Sequence, residues 1–419
     1  MKRVAVVGSG VSGMAAAWLL SQRYETHLFE RNTRIGGHTN TVTVTQEDGS
    51  TVGVDTGFIT YNEPTYPHFT TLLNHLSVPT QASDMSWSLT CDSCAVCYAG
   101  NPRGAIPNRH ALRVSHLTML REIGRFNKIA NRMLSTGVDP VLTLDGFLNR
   151  ERFSRAFNQH YLLPMAAAIW STGTRDVGQF PLATFLTFFK NHGLLGVRTH
   201  HPWRSIIGGS NGYISPLTHP YRDTIHRATA ITRITRTSSD VTLHFLDSTH
   251  DTFDAVVIAT HADEALALLH APTGEERELL GAWQYSQNTA VLHTDANLMP
   301  PAKRAWASWN YLQANCAQRD TKAALTYHMN RLQRLQTDTD YFVTLNPTVP
   351  ADPAKVIAQL GYTHPTYTKQ AVETQAPLTA LNGRNNTAYA GAYLRYGFHE
   401  DGVVSAINAA EAFGVSWPL

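Results

Sequence analysis

The sequence predicts an α/β fold of two domains, a parallel sheet flanked by helices with an α+β unit inserted into it. Three observations carry this expectation. The chain has 419 residues, more than one hydrophobic core normally serves. It opens on a strand, a glycine turn and a helix, RVAVVGSGVSGMAAAWLLS, followed by a second strand, THLFE. Pieces of the same α/β character return in the middle and at the end, with stretches of different character between them.

Taken in order, Arg3–Val7 is uniformly apolar, as a strand covered on both faces must be. Ser12–Ser21 is rich in Ala, Leu and Met and predicts a helix; Thr26–Glu30 predicts the next strand. Thr41–Thr45 and Ser50–Val54 alternate around Asp48-Gly49, a hairpin signal. From Tyr66 to about His200 the pattern is mainly helical, with loops at Gly100–Gly104 and Gly137–Pro140. Gly208–Gly212 precedes a short helix, and Ile231–Ile234 with Val241–Leu246 predicts another hairpin. Phe253–Ala259 is a buried strand, Asp263–Leu269 a helix, Thr387–Ala390 a short strand and Val403–Phe413 a last helix. The expected division is therefore a discontinuous cofactor domain of residues 1–65, 205–272 and 380–419, and a substrate domain of 66–204 and 273–379.

Composition narrows the function. Hydrophobic residues make up 43% and charged residues 16%, the balance of a globular enzyme. Lys and Arg number 34 against 32 Asp and Glu, a net charge of +2, which argues against a nucleic-acid protein. The basic, apolar opening imitates a signal peptide, but its glycine spacing favours a strand and turn. No run of about 20 apolar residues is present to span a bilayer. Four cysteines are too few for a disulfide scaffold and fit a reducing cytoplasm.

The strongest motif is Gly8-Ser9-Gly10-Val11-Ser12-Gly13 between strand and helix. Gly8 permits the tight turn, Gly10 admits a pyrophosphate, and Gly13 allows close helix packing, while the helix N-terminus offers unpaired amides. Glu30 ends the second strand about 20 residues on, where a carboxylate accepts from a ribose hydroxyl. Together they predict a dinucleotide site.

The following run, Arg31-Asn32-Thr33-Arg34-Ile35-Gly36-Gly37-His38-Thr39, resembles the glycine-pair extension of glutathione-reductase-like flavoproteins. More narrowly it is similar to the RxGG motif of the amine oxidase, phytoene desaturase and protoporphyrinogen oxidase superfamily, with His38 where a second Arg is common. The resemblance implies a two-domain FAD-binding Rossmann fold with an inserted α+β substrate domain, and noncovalent FAD. It implies that Gly36, Gly37, Thr56, Gly57 and Phe58 pass the flavin and its ribityl, and that Ile231 lies by the adenine. Gly391, Asp401, Gly402 and Val403 resemble the C-terminal flavin segment, with Gly402 read as a helix start offering free amides.

Other segments resemble a bacterial group within that superfamily, encoded beside cyclopropane-fatty-acid synthase-like methyltransferases. They include VGVDTGFITYNEPTYPHF at 52–69, SDMSWS at 83–88, FFKNHGLL at 188–195 and YGFHEDG at 396–402. This implies oxidation or desaturation of a lipid or fatty-acyl chain, a methyltransferase as partner, and peripheral membrane contact. The alternatives are an amine oxidase-like enzyme, whose flavin-adjacent Lys would be sought among Lys190, Lys303 and Lys322, and a flavin-binding partner without turnover.

Catalytic candidates are Tyr61, His192, His399 and Glu400. Tyr61 follows the strand expected beside the flavin and is read as facing substrate. His192 lies in an apolar stretch and reads as a general base or, more readily, a core histidine. His399 and Glu400 adjoin the flavin segment and read as a proton relay or as loop anchors. Phe180, Phe185, Phe188, Phe189, Leu194 and Leu195 read as core packing or an acyl tunnel. Cys91, Cys94 and Cys97 form CxxCxxC, but no second CxxC follows, Cys316 is distant, and a strand would split the set between faces, so no metal is expected.

Overall fold

A computed structural model describes residues 2–100, 113–196, 201–319 and 322–419. Most of the loop expected at Gly100–Gly104 lies outside the described residues.

The opening strand Arg3–Val7 is the centre of a five-stranded parallel sheet, ordered Ile225–His226, Glu25–Phe29, Arg3–Val7, Ala255–Ile258 and Thr387–Tyr389. It is paired on both edges, Val6 with Leu28 and Val257, and Val4 to Val7 are all buried, so neither face is polar. The helix Val11–Leu20 is buried along its whole length. It packs against the sheet and the last helix, His399–Glu411, which explains why its sequence carries alanines on every side and no charged stripe.

Between Ile225–His226 and Ala255–Ile258 an antiparallel meander rises from the sheet: Ile231–Arg236, Val241–Phe245 and His250–Phe253. Arg236, which ends the first of these strands, forms a buried fork on Glu276, at 2.6 and 2.8 Å. Tyr389 Oη donates to the same carboxylate at 2.7 Å, tying the meander, the helix Gly274–Gly281 and the parallel sheet together.

Segments within 66–204 and 273–379 supply a seven-stranded sheet, ordered Val356–Thr366, Gln284–His293, Phe342–Leu345, Leu325–His328, Trp309–Gln313, Trp87–Cys91 and Val96–Ala99. Helices Val114–Thr136, Leu163–Ile169 and Leu182–Asn191 join it around an aromatic core that includes Phe126, Phe147, Phe157 and Phe189.

Two sequence expectations are corrected. The stretch expected to be mainly helical from Tyr66 contains strands at Thr80–Ser83, Trp87–Cys91 and Val96–Ala99. Their β-branched and aromatic residues are partly in an edge hairpin, too short to outweigh the helical periodicity around them. The last helix begins at His399, four residues before the expected Val403, because Asp401 caps it by accepting from the Phe398 amide at 2.9 Å.

Candidate dinucleotide and substrate cavity

The glycine turn is built by close contact. Gly8 has φ +98°, and a Cβ there would lie 2.7 Å from the Ala259 carbonyl oxygen. A Cβ on Gly13 would lie 1.9 Å from the Gly8 carbonyl oxygen, so only glycine lets the helix sit on the turn. Gly10 differs: nothing lies within 4 Å of its Cβ position. That open space belongs to a cavity of about 1720 Å³, on which Gly8, Gly10, Val11 and Ser12 all stand. The first helix amides have no intrahelical acceptor, and the first residues of the helix stand on this cavity, the arrangement that suits an anion.

Glu30, buried at the end of the second strand, accepts from Ser9 Oγ at 2.6 Å and from the Asn32 amide and side chain at 2.9 and 2.8 Å. Ser9 Oγ also receives the Gly36 amide at 3.2 Å, joining the two glycine motifs. Arg34 donates to the carbonyls of Thr39 and Gly37 at 2.8 and 2.7 Å and so clamps the second turn around backbone. Arg31 pairs with Glu264 at 2.9 Å beside Ile231 on the cavity rim.

Farther along, Gly57 lies so close to His38 that a Cβ would stand 2.2 Å from its carbonyl oxygen, while Phe58 donates to that oxygen at 2.8 Å. Tyr362 Oη bonds Thr56 Oγ1 at 2.9 Å and Asn40 at 3.0 Å, holding this turn from the strand Val356–Thr366. His399 stacks on Phe58 at 3.5 Å, and its Nε2 meets Thr39 Oγ1 at 3.0 Å and Tyr213 Oη at 3.3 Å.

Four histidines, His38, His261, His364 and His399, gather on the cavity wall. Burial lowers all of them: His399 to about 3, His364 to about 4, and His38 well below its ordinary value, the last with help from the neighbouring histidines and Arg34. They are therefore neutral at pH 7 and act as hydrogen-bonding groups rather than charges. His38 Nε2 and Tyr393 Oη are buried with no hydrogen-bond partner among the described residues, though both residues line the cavity. These orphaned groups and the side-chain-free cradle at Gly10 fit a bound dinucleotide with a polar ring system.

Beyond this polar end the lining turns apolar and aromatic, with Met85, Trp87, Ile123, Met165, Phe188 and Trp309 among it. Phe188 and Leu194 reach the cavity, whereas Phe180, Phe185 and Phe189 are core. Lys190, Lys303 and Lys322 stand exposed, away from the described lining.

Several sequence expectations change. Tyr61 does not face the cavity: its ring packs in the core against Tyr66 and Phe69, and its strand neighbour Thr60 takes the cavity side. Glu400 is an anchor rather than a relay; it accepts from the amides of His68 and Phe69 at 3.3 and 3.0 Å and from His68 Nδ1 at 2.7 Å, heading the helix Pro67–His75. Gly402 is no helix start. Its amide donates to the Phe398 carbonyl at 3.0 Å, and its missing Cβ would lie 2.6 Å from Val11, so it serves close contact between the two helices. His192 lines the cavity, but its Nδ1 donates to the Phe188 carbonyl at 3.0 Å, it stacks on Phe188, and burial lowers it to about 4. Gly13, Gly36, Thr39, Thr56, Asp401 and Val403 stand behind the lining, while Gly37, Gly57, Phe58, Ile231 and Gly391 are on it.

Sequence reasoning missed Ser9, Asn32, Tyr213, Tyr362, His261 and His364. The first two sit inside the recognised motifs, where their polarity was a usable signal; the rest come from segments with no motif. It also kept the cysteines apart. Cys91, Cys94 and Cys316 come together with His160, because Cys94 lies in the hairpin turn rather than on a strand; Cys97 faces Thr90 instead.

Residues 6–76 match the family of NAD(P)-binding Rossmann-like domains. No curated protein matches the chain at a significant level. Among solved structures it is similar to cyclohexylamine oxidase from Brevibacterium oxydans IH-35A, with TM-score 0.69, 16% identity and 98% of each chain covered. The CLA-producing fatty acid isomerase from P. acnes gives 0.67, 16% identity and 97% of each chain. Putrescine oxidase bound to putrescine gives 0.67 at 12% identity, covering 99% of this chain and 98% of the other. At such identities the likeness establishes the fold alone, and the two-domain α/β fold with a Rossmann-like unit read from the sequence is borne out.

Proposed function

We propose that this fold serves an FAD-dependent oxidoreductase which oxidises or desaturates an apolar substrate, a fatty-acyl or related lipid chain. The observation that carries the reading is one continuous cavity, running from the bare glycine turn to an aromatic wall. Its size exceeds the few hundred to about 1,000 Å³ of ordinary ligand pockets, as a dinucleotide plus a substrate would require.

Gly8–Gly13 would hold the pyrophosphate, Glu30 a ribose, Ile231 the adenine side, and Gly37, His38, Gly57, Phe58, Gly391 and His399 the flavin. Bound there, FAD would supply a hydride acceptor. The chain's own residues do the rest. The neutral histidines offer hydrogen bonds without placing charge beside the cofactor. The head of the helix His399–Glu411 turns its positive end toward the cavity, where it favours negative charge. Met85, Phe188 and Trp309 exclude water and align an apolar chain. Among the described residues no lysine lines the cavity, so the lysine sought on the amine oxidase reading is not found there.

The test is the visible spectrum of the purified protein, followed anaerobically as fatty-acyl lipids are added. Flavin bands that bleach with a lipid and not with amines support the proposal. Bleaching with amines alone replaces the substrate class, and failure to hold FAD after reconstitution removes the cofactor. The narrower resemblance adds a lipid methyltransferase as a proposed partner, tested by co-purification of the two.

A further inference from the structure

At the end of the edge hairpin away from the cavity, three cysteines and a histidine converge. Trp87, at the start of the strand Trp87–Cys91, is on the cavity lining; Cys91, at its end, is about 13 Å farther along. Cys94 lies in the turn to the strand Val96–Ala99. Cys316 follows the adjacent strand Trp309–Gln313, and His160 lies on a short π-helical turn, Asn158–Leu162.

The four ligand atoms lie within 4.8 Å of one another. Cys94 Sγ is 3.8 Å from Cys316 Sγ and 3.5 Å from His160 Nε2. A zinc tetrahedron with bonds of about 2.3 Å to sulfur and about 2.05 Å to nitrogen has edges of about 3.8 and 3.6 Å. These two edges agree with it, and the remaining ones are no longer than 4.8 Å. Cys91 is buried and the other three are half-buried, so the set is shielded without being sealed. The His160 carbonyl accepts from Tyr98 Oη at 2.6 Å, and the Cys94 carbonyl accepts from Arg113 at 2.9 Å, which fixes the backbone carrying two of the four groups.

We propose that Cys91, Cys94, Cys316 and His160 form a structural zinc site. Three thiolates and a neutral imidazole are a soft donor set suited to zinc, and four protein ligands leave no open position for catalysis. Loading replaces three thiol protons with one Zn²⁺ and releases the protons. The metal staples the hairpin tip, the π turn and the loop after Trp309–Gln313. The π turn leads straight into the helix Leu163–Ile169, whose Met165, Ala168 and Ile169 line the cavity, so the staple steadies the substrate wall from behind. The proposal is independent of the cofactor reading.

The test is metal analysis of the full-length protein, purified with reductant, without chelator and from zinc-supplemented cells. About one zinc per chain should survive gel filtration. Cobalt in its place should give thiolate-to-cobalt charge transfer and intense tetrahedral bands. Cys94→Ser and Cys316→Ser should each lose the metal, while Cys97→Ser keeps it. If the first two variants fail to fold, the wild-type zinc content and the cobalt spectrum still decide. A metal-free wild type, iron in place of zinc, or a Cys94–Cys316 disulfide found by mass spectrometry under non-reducing conditions overturns the assignment.

Discussion

Gly10→Ala separates the cofactor from the fold. Gly10 has φ −63° and ψ 176°, extended backbone open to any residue, and its Cβ position has nothing within 4 Å. The apo protein should lose less than about 1 kcal/mol, the difference between Gly and Ala as a helix N-cap. The methyl group instead projects into the space at the helix amides that the proposed function gives to a pyrophosphate. Losing one charge-assisted hydrogen bond there costs about 1.5–3 kcal/mol, a Kd about 10- to 150-fold weaker. Gly13→Ala is the contrast. Its Cβ, 1.9 Å from the Gly8 carbonyl oxygen, must lift the helix off the turn, at a cost of about 3 kcal/mol or more to the apo fold. The assay pairs FAD titration by flavin fluorescence with urea unfolding of both apo variants. Wild-type FAD affinity in Gly10→Ala would refute the phosphate assignment. An apo Gly10→Ala as unstable as Gly13→Ala would refute the packing argument.

Glu30→Ala should weaken FAD by about 1–3 kcal/mol through the lost ribose bond, read in the same titration; unchanged affinity removes Glu30 from the site. His192, lowered by burial to about 4 from an unfolded value near 6.5, favours the folded state while neutral. Stability should be full above pH 6.5 and fall by up to about 3 kcal/mol as pH drops toward 4; His192→Phe should lack this component, and parallel urea profiles for the two proteins would disprove it. For Glu276, burial alone would raise the pKa, but Arg236, the Thr273 amide and Tyr389 hold it at about 2. The resulting stability is present above pH 4.5 and lost as pH falls toward 2. Arg236→Met should cost about 3–5 kcal/mol by leaving the buried carboxylate unpaired, and a loss below 1 kcal/mol would show the pair to be dispensable.

The glycine-turn end of the cavity was legible because its physics is local. The glycine turn, its helix and Glu30 lie within one strand–helix–strand unit, and their spacing alone implies a phosphate cradle. What escaped depends on contacts between distant segments. His38 and His399 stand beside recognisable motifs, but His261 and His364 carry no local signal, and the four meet only once distant segments fold together. Tyr61 was assigned to the wrong face because strand alternation says which residues share a side, not which side meets the cavity. Gly402 sits beside a helix start, and only the position of Val11 reveals that it is a packing glycine. The cysteine set was dismissed by strand alternation, which does not hold in a turn, and His160 entered from a segment with no motif.

The cavity wall draws on the beginning of the chain at Gly8–Ser12, its middle at Ile231 and His261, and its end at Gly391 and His399. A ribosome delivers these pieces in that order, so the glycine turn emerges well before the wall that completes its site. On the proposed reading, capture of the dinucleotide would belong to the finished polypeptide, not to the nascent one. A product truncated before Gly391 would carry every residue of the recognised glycine motifs and still lack one side of the cleft, so on the proposed reading yellow colour would certify full-length synthesis.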